Sequence, residues 1–141
     1  MSQQYNALRN SILPSLLRVG AASSKAFYPH RTFELGDVVK RDPKTKQGSR
    51  DMRCLGALLS HPSANFSELH SFLDLLFYYL GKEYRLESIV HPSFIEGRVG
   101  RVLMGEKECG VIGELHPQIL ENWQITMPCA AFELELNPIF G

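Results

Sequence analysis

Along the chain, apolar positions switch between helical spacing and strict alternation, and each switch marks a new element. Leu13, Leu16, Leu17 and Gly20 fall at helical spacing within SILPSLLRVGAASSKAF. They predict an amphipathic helix from about Ser11 to Lys25. Pro14 fits only if that helix begins near Ser11, because a proline is tolerated in the first turn, where its missing N–H has no intrahelical partner to lose. Gly20 weakens the helix and permits close packing. RTFELGDVV (31–39) then alternates, Phe33 and Leu35 against Glu34, as a strand with one wet face does. Residues 40–53, KRDPKTKQGSRDMR, have no apolar period and carry Pro43 and Gly48, which predicts an exposed hairpin connection. CLGALLSHP (54–62) returns as a second strand.

The clearest helix is SELHSFLDLLFYYLG, with Ser67 as the expected N-cap and Gly81 as the C-terminal stop. Leu69, Phe72, Leu73, Leu76, Tyr79 and Leu80 form its apolar stripe. At about 1.5–3 kcal/mol per buried large side chain, the stripe contributes on the order of 10 kcal/mol before entropy is counted. YRLESIV (84–90) reads as a strand. RVGRVLM and ECGVIGEL flank Gly105-Glu106-Lys107, a compact hairpin signal. HPQILENW opens a short helix with Pro117 in its first turn. In CAAFELELNP, Phe132, Leu134 and Leu136 alternate with Glu133 and Glu135, predicting a half-buried closing strand. Hairpin-length links imply an antiparallel sheet with helices packed against a face, an α+β fold and not a doubly wound parallel one. There is no internal repeat.

Size and composition narrow the class. A chain of 141 residues suits one domain over 1–141 and can bury about two-thirds of its unfolded surface. Hydrophobic residues make up 44% and charged residues 21%, ordinary globular usage, and the formal net charge is zero. Neutrality argues against a protein that coats nucleic acid by charge alone. No apolar run approaches the ~20 residues that cross a bilayer, so no membrane role is expected. MSQQYNALRN lacks a signal-peptide core, and a cytoplasmic location is the default expectation. Cys54, Cys109 and Cys129 are odd in number and widely spaced; they form no disulfide framework or zinc motif and read as core thiols.

Candidate chemistry is sparse. His61, His91 and His116 each precede a proline, at spacings that match no metal motif. The proline ends a strand or starts a helix, and the histidine before it is extended. Ser60 and Ser93 lack the G-x-S-x-G elbow of a serine hydrolase. Glycines 97, 100, 105, 110 and 113 form neither G-x-G-x-x-G nor a P-loop and read as turn and strand-packing glycines. One segment stands out by charge. Residues 40–53 hold Lys40, Arg41, Lys44, Lys46, Arg50 and Arg53 against Asp42 and Asp51, a surplus of four positive charges. These six cations are the candidate RNA contacts, able to track a phosphate backbone. The alternative is a solvated hairpin tip, and no aromatic residue among them offers a stacking platform.

Five ordered strings carry a resemblance. They are YNALRNSILPSLL (5–17), RTFELGDVV (31–39), HPSFIEGRVGRV (91–102), GVIGELHPQILENW (110–123) and ITMPCAAFELELNP (125–138). Together they resemble the phenylalanyl-tRNA synthetase β subunit of the archaeal/eukaryotic type, at similar intervals and over nearly the whole chain. The resemblance implies a class II synthetase-like antiparallel sheet flanked by helices. It implies an (αβ)2 assembly with an α subunit that activates phenylalanine with ATP and Mg2+ and transfers it to tRNA(Phe). It also implies that this chain is a non-catalytic, tRNA-supporting module with no catalytic residue, metal or cofactor of its own.

The phosphate-handling residues of such a fold are missing. Class II motif 2 has a pattern like R-x-F-R-x-E, whose second arginine holds the ATP α-phosphate. The best match is RTFELG (31–36), where Glu34 stands at that arginine and Gly36 at the glutamate. The glycine-rich motif 3 strand has no counterpart. Motif 1, which builds subunit contacts, would precede the L-R motif, yet Met1 lies only seven residues before Leu8. The chain therefore reads as an incomplete module, either an excerpt of a longer β subunit or a short free-standing relative with an RNA-binding or regulatory role. Tight contacts with the α subunit are expected upstream of it.

Overall fold

The structure, a computed structural model, describes residues 11–23 and 28–140. Its elements are α1 (Leu13–Ala22), β1 (His30–Arg41), β2 (Ser49–Ser60), α2 (Phe66–Leu80), β3 (Arg85–Ser88), β4 (Phe94–Met104), β5 (Lys107–Leu115), α3 (Pro117–Asn122), β6 (Cys129–Glu135) and α4 (Asn137–Phe140). All six strands join one antiparallel sheet in the order β1-β2-β6-β5-β4-β3. This is the expected α+β arrangement. Two cores lie on opposite faces of the sheet. On one, Ile12 and, from α1, Leu13, Leu16 and Leu17 pack on Val38, Met52, Cys54 and Leu58. On the other, Leu69, Leu73 and Phe77 of α2 pack on Ala57, Leu59, Ile112 and Phe132.

Local chemistry explains the boundaries. Pro14 lies at the start of α1, as its missing N–H requires. That helix ends at Ala22, short of the expected Lys25, and residues 24–27, like Tyr5–Asn10 of the first string, lie outside the described residues. Gly20 does permit close packing: a Cβ there would stand 3.0 Å from a methyl of Leu58. Asn65, not Ser67, caps α2, its side chain accepting from Glu68 N at 2.9 Å. An N-cap must be extended, and Ser67 is already inside the first turn. Gly81 stops the helix at φ 68°, a left-handed conformation that costs glycine nothing. The stripe of α2 is rotated from expectation, with Phe77 buried and Tyr79 78% exposed. Gly105 begins the β4–β5 turn at φ 62°, as the compact hairpin signal anticipates.

Three strand expectations are corrected. First, Phe33 and Leu35 are not core residues; they are 60% and 56% exposed. They alternate as foreseen, but β1 is an edge strand and α2 packs mainly over β5 and β6. Second, residues 40–53 are not one loose connection. β1 and β2 pair without a break from His30↔Ser60 to Arg41↔Ser49, leaving only 42–48 as a loop. Third, β6 has no wet face. It is a central strand, and residues 129–134 are all buried, Glu133 among them.

Candidate functional site

The face of the sheet that carries α1 encloses a cavity of about 540 Å³. Its apolar end is lined by Ile89, Val111, Leu115, Ile119 and Trp123, and its polar end by Glu108, Glu133, Glu135 and Lys40. Glu133 and Glu135 are two apart on β6, so both carboxylates project to the same face. Glu133 is 7% exposed. Its Oε1 accepts from Ser11 Oγ at 2.7 Å and from Ile12 N at 2.9 Å, just before the first turn of α1. A carboxylate there satisfies an otherwise orphaned donor and faces the positive end of the helix dipole. Burial raises the Glu135 carboxyl above its ordinary pKa; Lys40 and Arg50 offset this, and Glu108 and Glu133 add to it.

This charge pattern decides what the cavity can hold. Carboxylates outnumber Lys40 three to one at the polar end, so a triphosphate would meet repulsion in a partly desolvated space. Nor do those carboxylates converge as ligands: among the described residues no group of three His, Cys, Asp or Glu side chains could hold a metal ion. The residues present do not fit ATP with Mg2+. Glu34, which the motif 2 resemblance matches to the phosphate-binding arginine, is half-buried on β1 and pairs in register with Gly56. A Cβ on Gly56 would stand 2.2 Å from Ile12 Cγ2 and 2.8 Å from Leu16 Cδ1. Helix α1 therefore lies directly on the sheet beside Glu34.

The six candidate cations separate into two groups. Arg50 Nε bonds Asp42 at 3.2 Å, Arg53 Nε bonds Asp37 at 3.1 Å, and Lys40 lines the cavity beside Glu135. Arg50 and Arg53 are held by the protein's own carboxylates, and Lys40 interacts with Glu135 through charge alone. The side chains of Arg41, Lys44 and Lys46 are exposed and make no ion pair with any described residue. The sequence presents the six as one run of charge and does not tell paired from unpaired. Nor does it reveal Glu133, because F-E-L-E-L looks half-wet. The clue lay just upstream, in the unbroken apolar run Cys129–Phe132, which fits a strand covered on both faces.

Each His-Pro pair closes a turn in the same way. His61, His91 and His116 Nδ1 accept from the backbone N–H two residues on, Ser63, Ser93 and Gln118, at 3.0–3.1 Å. His61 Nε2 also bonds Glu68 Oε1 at 2.7 Å, which makes it the donor nitrogen. An accepting Nδ1 must be unprotonated, so a second proton on the His91 ring breaks its turn. For His91, in the cavity wall, burial lowers the pKa below its ordinary 6.5, opposed in part by Glu133. The folded chain thus binds this proton less readily than the unfolded chain does. Its neutral form contributes fully above the unfolded pKa, and that contribution is lost as pH falls below about 6.5 and through the folded value. We expect urea midpoints to fall between pH 7.5 and pH 5, and His91→Asn, whose Oδ1 can take the place of Nδ1, to reduce that fall. An unchanged pH profile in the variant would remove His91 from the account.

Comparison with known proteins gives one consistent result. The family model described as phenylalanyl tRNA synthetase beta chain CLM domain matches residues 1–136. The phenylalanine–tRNA ligase β subunit of Thermococcus onnurineus is 40% identical over 142 residues, covering 99% of this chain and 24% of that protein. Its counterpart in Thermococcus gammatolerans is 42% identical over 140 residues, covering 99% and 25%. That of Treponema pallidum is 36% identical over 139 residues, covering 99% and 23%. The chain spans about a quarter of the length of these relatives. Among solved structures, pyrrolysyl-tRNA synthetase from Desulfitobacterium hafniense superposes with a TM-score of 0.76 at 18% identity, covering 94% of this chain and 48% of that one. A second structure of that organism's enzyme gives 0.69 at 22% identity, with the same coverage. At such identities the likeness concerns the fold, and it bears out the class II synthetase-like expectation.

Proposed function

Because the chain belongs to the phenylalanyl-tRNA synthetase β-chain family, we propose that it is a non-catalytic structural module of a phenylalanine–tRNA ligase, the complex that uses ATP to attach phenylalanine to its tRNA. In this reading an α subunit performs the chemistry within an (αβ)2 assembly and holds ATP and Mg2+. The module supplies a rigid sheet and a surface that supports tRNA. The observation that carries the non-catalytic part is the occupied sheet face: α1 lies on Gly56 beside Glu34, where a phosphate-binding arginine would stand. The acidic cavity end supports the same reading. The β subunits among the relatives weigh against a short free-standing RNA-binding or regulatory protein. A cytoplasmic setting belongs to the reading, supported by three buried cysteines that are free thiols.

The test uses a β polypeptide that contains these residues, assembled with its matching α subunit. We expect this complex to charge tRNA(Phe). Glu34→Ala and Glu135→Ala should change kcat for phenylalanine activation by less than about threefold, because a group that touches no reacting atom contributes no transition-state stabilisation to lose. A complex that forms but charges no tRNA would refute the ligase assignment. A hundredfold loss of kcat in an intact complex would show that the module is catalytic.

A further inference from the structure

The β1–β2 hairpin is longer than the sheet it belongs to. Pairing of β2 with β6 ends at Cys54↔Glu135, with one more bond from Leu136 N to the Arg53 carbonyl at 2.9 Å. Residues 37–41 and 49–53 continue past it as a two-stranded arm. Val38 and Met52 of these segments are still buried under α1, so the exposed end of the hairpin is Arg41 and the 42–48 loop. The loop is internally bonded. Asp42 N donates to Gly48 O at 2.9 Å, Lys44 N to Asp42 Oδ1 at 3.0 Å, and Thr45 Oγ1 bridges Asp42 O and Ser49 O. The backbone at the tip therefore has a defined shape.

Charge is sorted along this arm. Asp42 is engaged by Arg50 and by the Lys44 amide, and Asp37 by Arg53. Lys40 belongs to the cavity. The surplus of positive charge thus resides on Arg41, Lys44 and Lys46, with Asp51 the exposed acid nearby in sequence. We propose that the tip of the arm is a docking point for the sugar–phosphate backbone of RNA, contacted through Arg41, Lys44 and Lys46. Lys44 and Lys46 on the bonded loop, and Arg41 at its base, lose little on binding, since none of them has an ion pair among the described residues to break. Residues 40–53 contain no aromatic side chain, so the tip has nothing on which to stack bases and recognises phosphate irrespective of sequence. The choice of RNA over another polyanion rests on the ligase reading above; the geometry and charge of the arm do not.

Binding of the full 141-residue chain to a transcribed tRNA and to an unrelated RNA duplex would be measured by fluorescence anisotropy between 50 mM and 300 mM salt. At roughly 0.7–0.9 per neutralised phosphate, three contacts give a log–log slope of about −2 to −3 for both RNAs. Arg41→Ala/Lys44→Ala/Lys46→Ala should flatten that slope by about two and weaken binding at 100 mM salt by roughly ten- to a hundredfold. Lys44→Arg/Lys46→Arg should bind like the parent. Arg50→Ala/Arg53→Ala, which removes only paired charges, should change the slope by less than one. Lys44→Glu/Lys46→Glu gives a second, independent loss at exposed positions. An unchanged slope in the triple variant, no RNA binding at 50 mM salt, or binding to phosphatidylserine vesicles in preference to RNA would each overturn the proposal. Because the ligase reading is scored by charging in the assembled complex, its failure and the failure of the arm proposal are separately visible.

Discussion

Replacing Gly110 by alanine should cost the chain most of its stability. An ideal Cβ at Gly110 would stand 2.0 Å from the Glu133 carbonyl oxygen and 3.0 Å from Leu134 Cα. Both are backbone atoms of β6, so no side chain can move aside. β5 and β6 are adjacent in the middle of the sheet, and relief requires them to separate. Separation would break ladder bonds and shift Glu133 away from the start of α1. Overpacking typically costs about 1–3 kcal/mol where side chains can yield; here we expect at least about 3 kcal/mol, a large share of the roughly 5–15 kcal/mol that holds a domain folded. Gly56→Ala gives a comparison. Its Cβ meets Ile12 and Leu16 side chains, which can retreat with α1, so its cost should stay within the usual ~1–3 kcal/mol. Urea titration by far-UV circular dichroism would rank the two. A Gly110→Ala midpoint equal to that of the parent would mean that the β5–β6 contact is looser than described.

The contrast between these glycines shows what a linear pattern can convey. Strand and helix identities follow from local period, and the period was legible: the Leu13–Leu17 spacing, the Leu69–Leu73 stripe and the Gly105 turn all appear as elements of the expected type. Burial depends on neighbours, which a linear pattern does not name. Phe33 and Leu35 have the alternation of a core strand, but β1 is an edge and α2 lies elsewhere. Glu133 has the alternation of a wet position, but β6 is covered on both faces and α1 brings two donors to it. The charge surplus of 40–53 was visible as a sum. Its division into bonded Arg50 and Arg53 and unpaired Arg41, Lys44 and Lys46 depends on β1–β2 register, which sets Asp37 opposite Arg53. The family was legible for a different reason: five motifs in order constrain identity far more than any one constrains geometry.

The same geometry predicts that phenylalanine-dependent ATP–pyrophosphate exchange will be absent from this chain and will not be restored by Glu34→Arg. A single arginine is the obvious repair, since the motif 2 resemblance matches Glu34 to the phosphate ligand. Two features of the site oppose it. The sheet face beside position 34 is covered by α1, with Ile12 and Leu16 against Gly56, the register partner of Glu34. A phosphate reaching the cavity on that face would also meet carboxylates, because Glu133, Glu135 and Glu108 line it, with β2 between β6 and position 34. A carboxylate about 4 Å from a phosphate charge costs on the order of 4 kcal/mol at an effective dielectric near 20. Each 1.36 kcal/mol is a factor of about ten in rate, so even one such contact costs roughly a thousandfold. Removing the charge of Glu133 as well, in Glu34→Arg/Glu133→Gln, weakens the hold on Ser11 and Ile12 and lowers stability without uncovering the sheet. Both variants should therefore stay at the level of a protein-free blank. Exchange that depends on phenylalanine, rises with Glu34→Arg and survives repurification would mean that α1 can leave the sheet and that the covered face is a dormant active site.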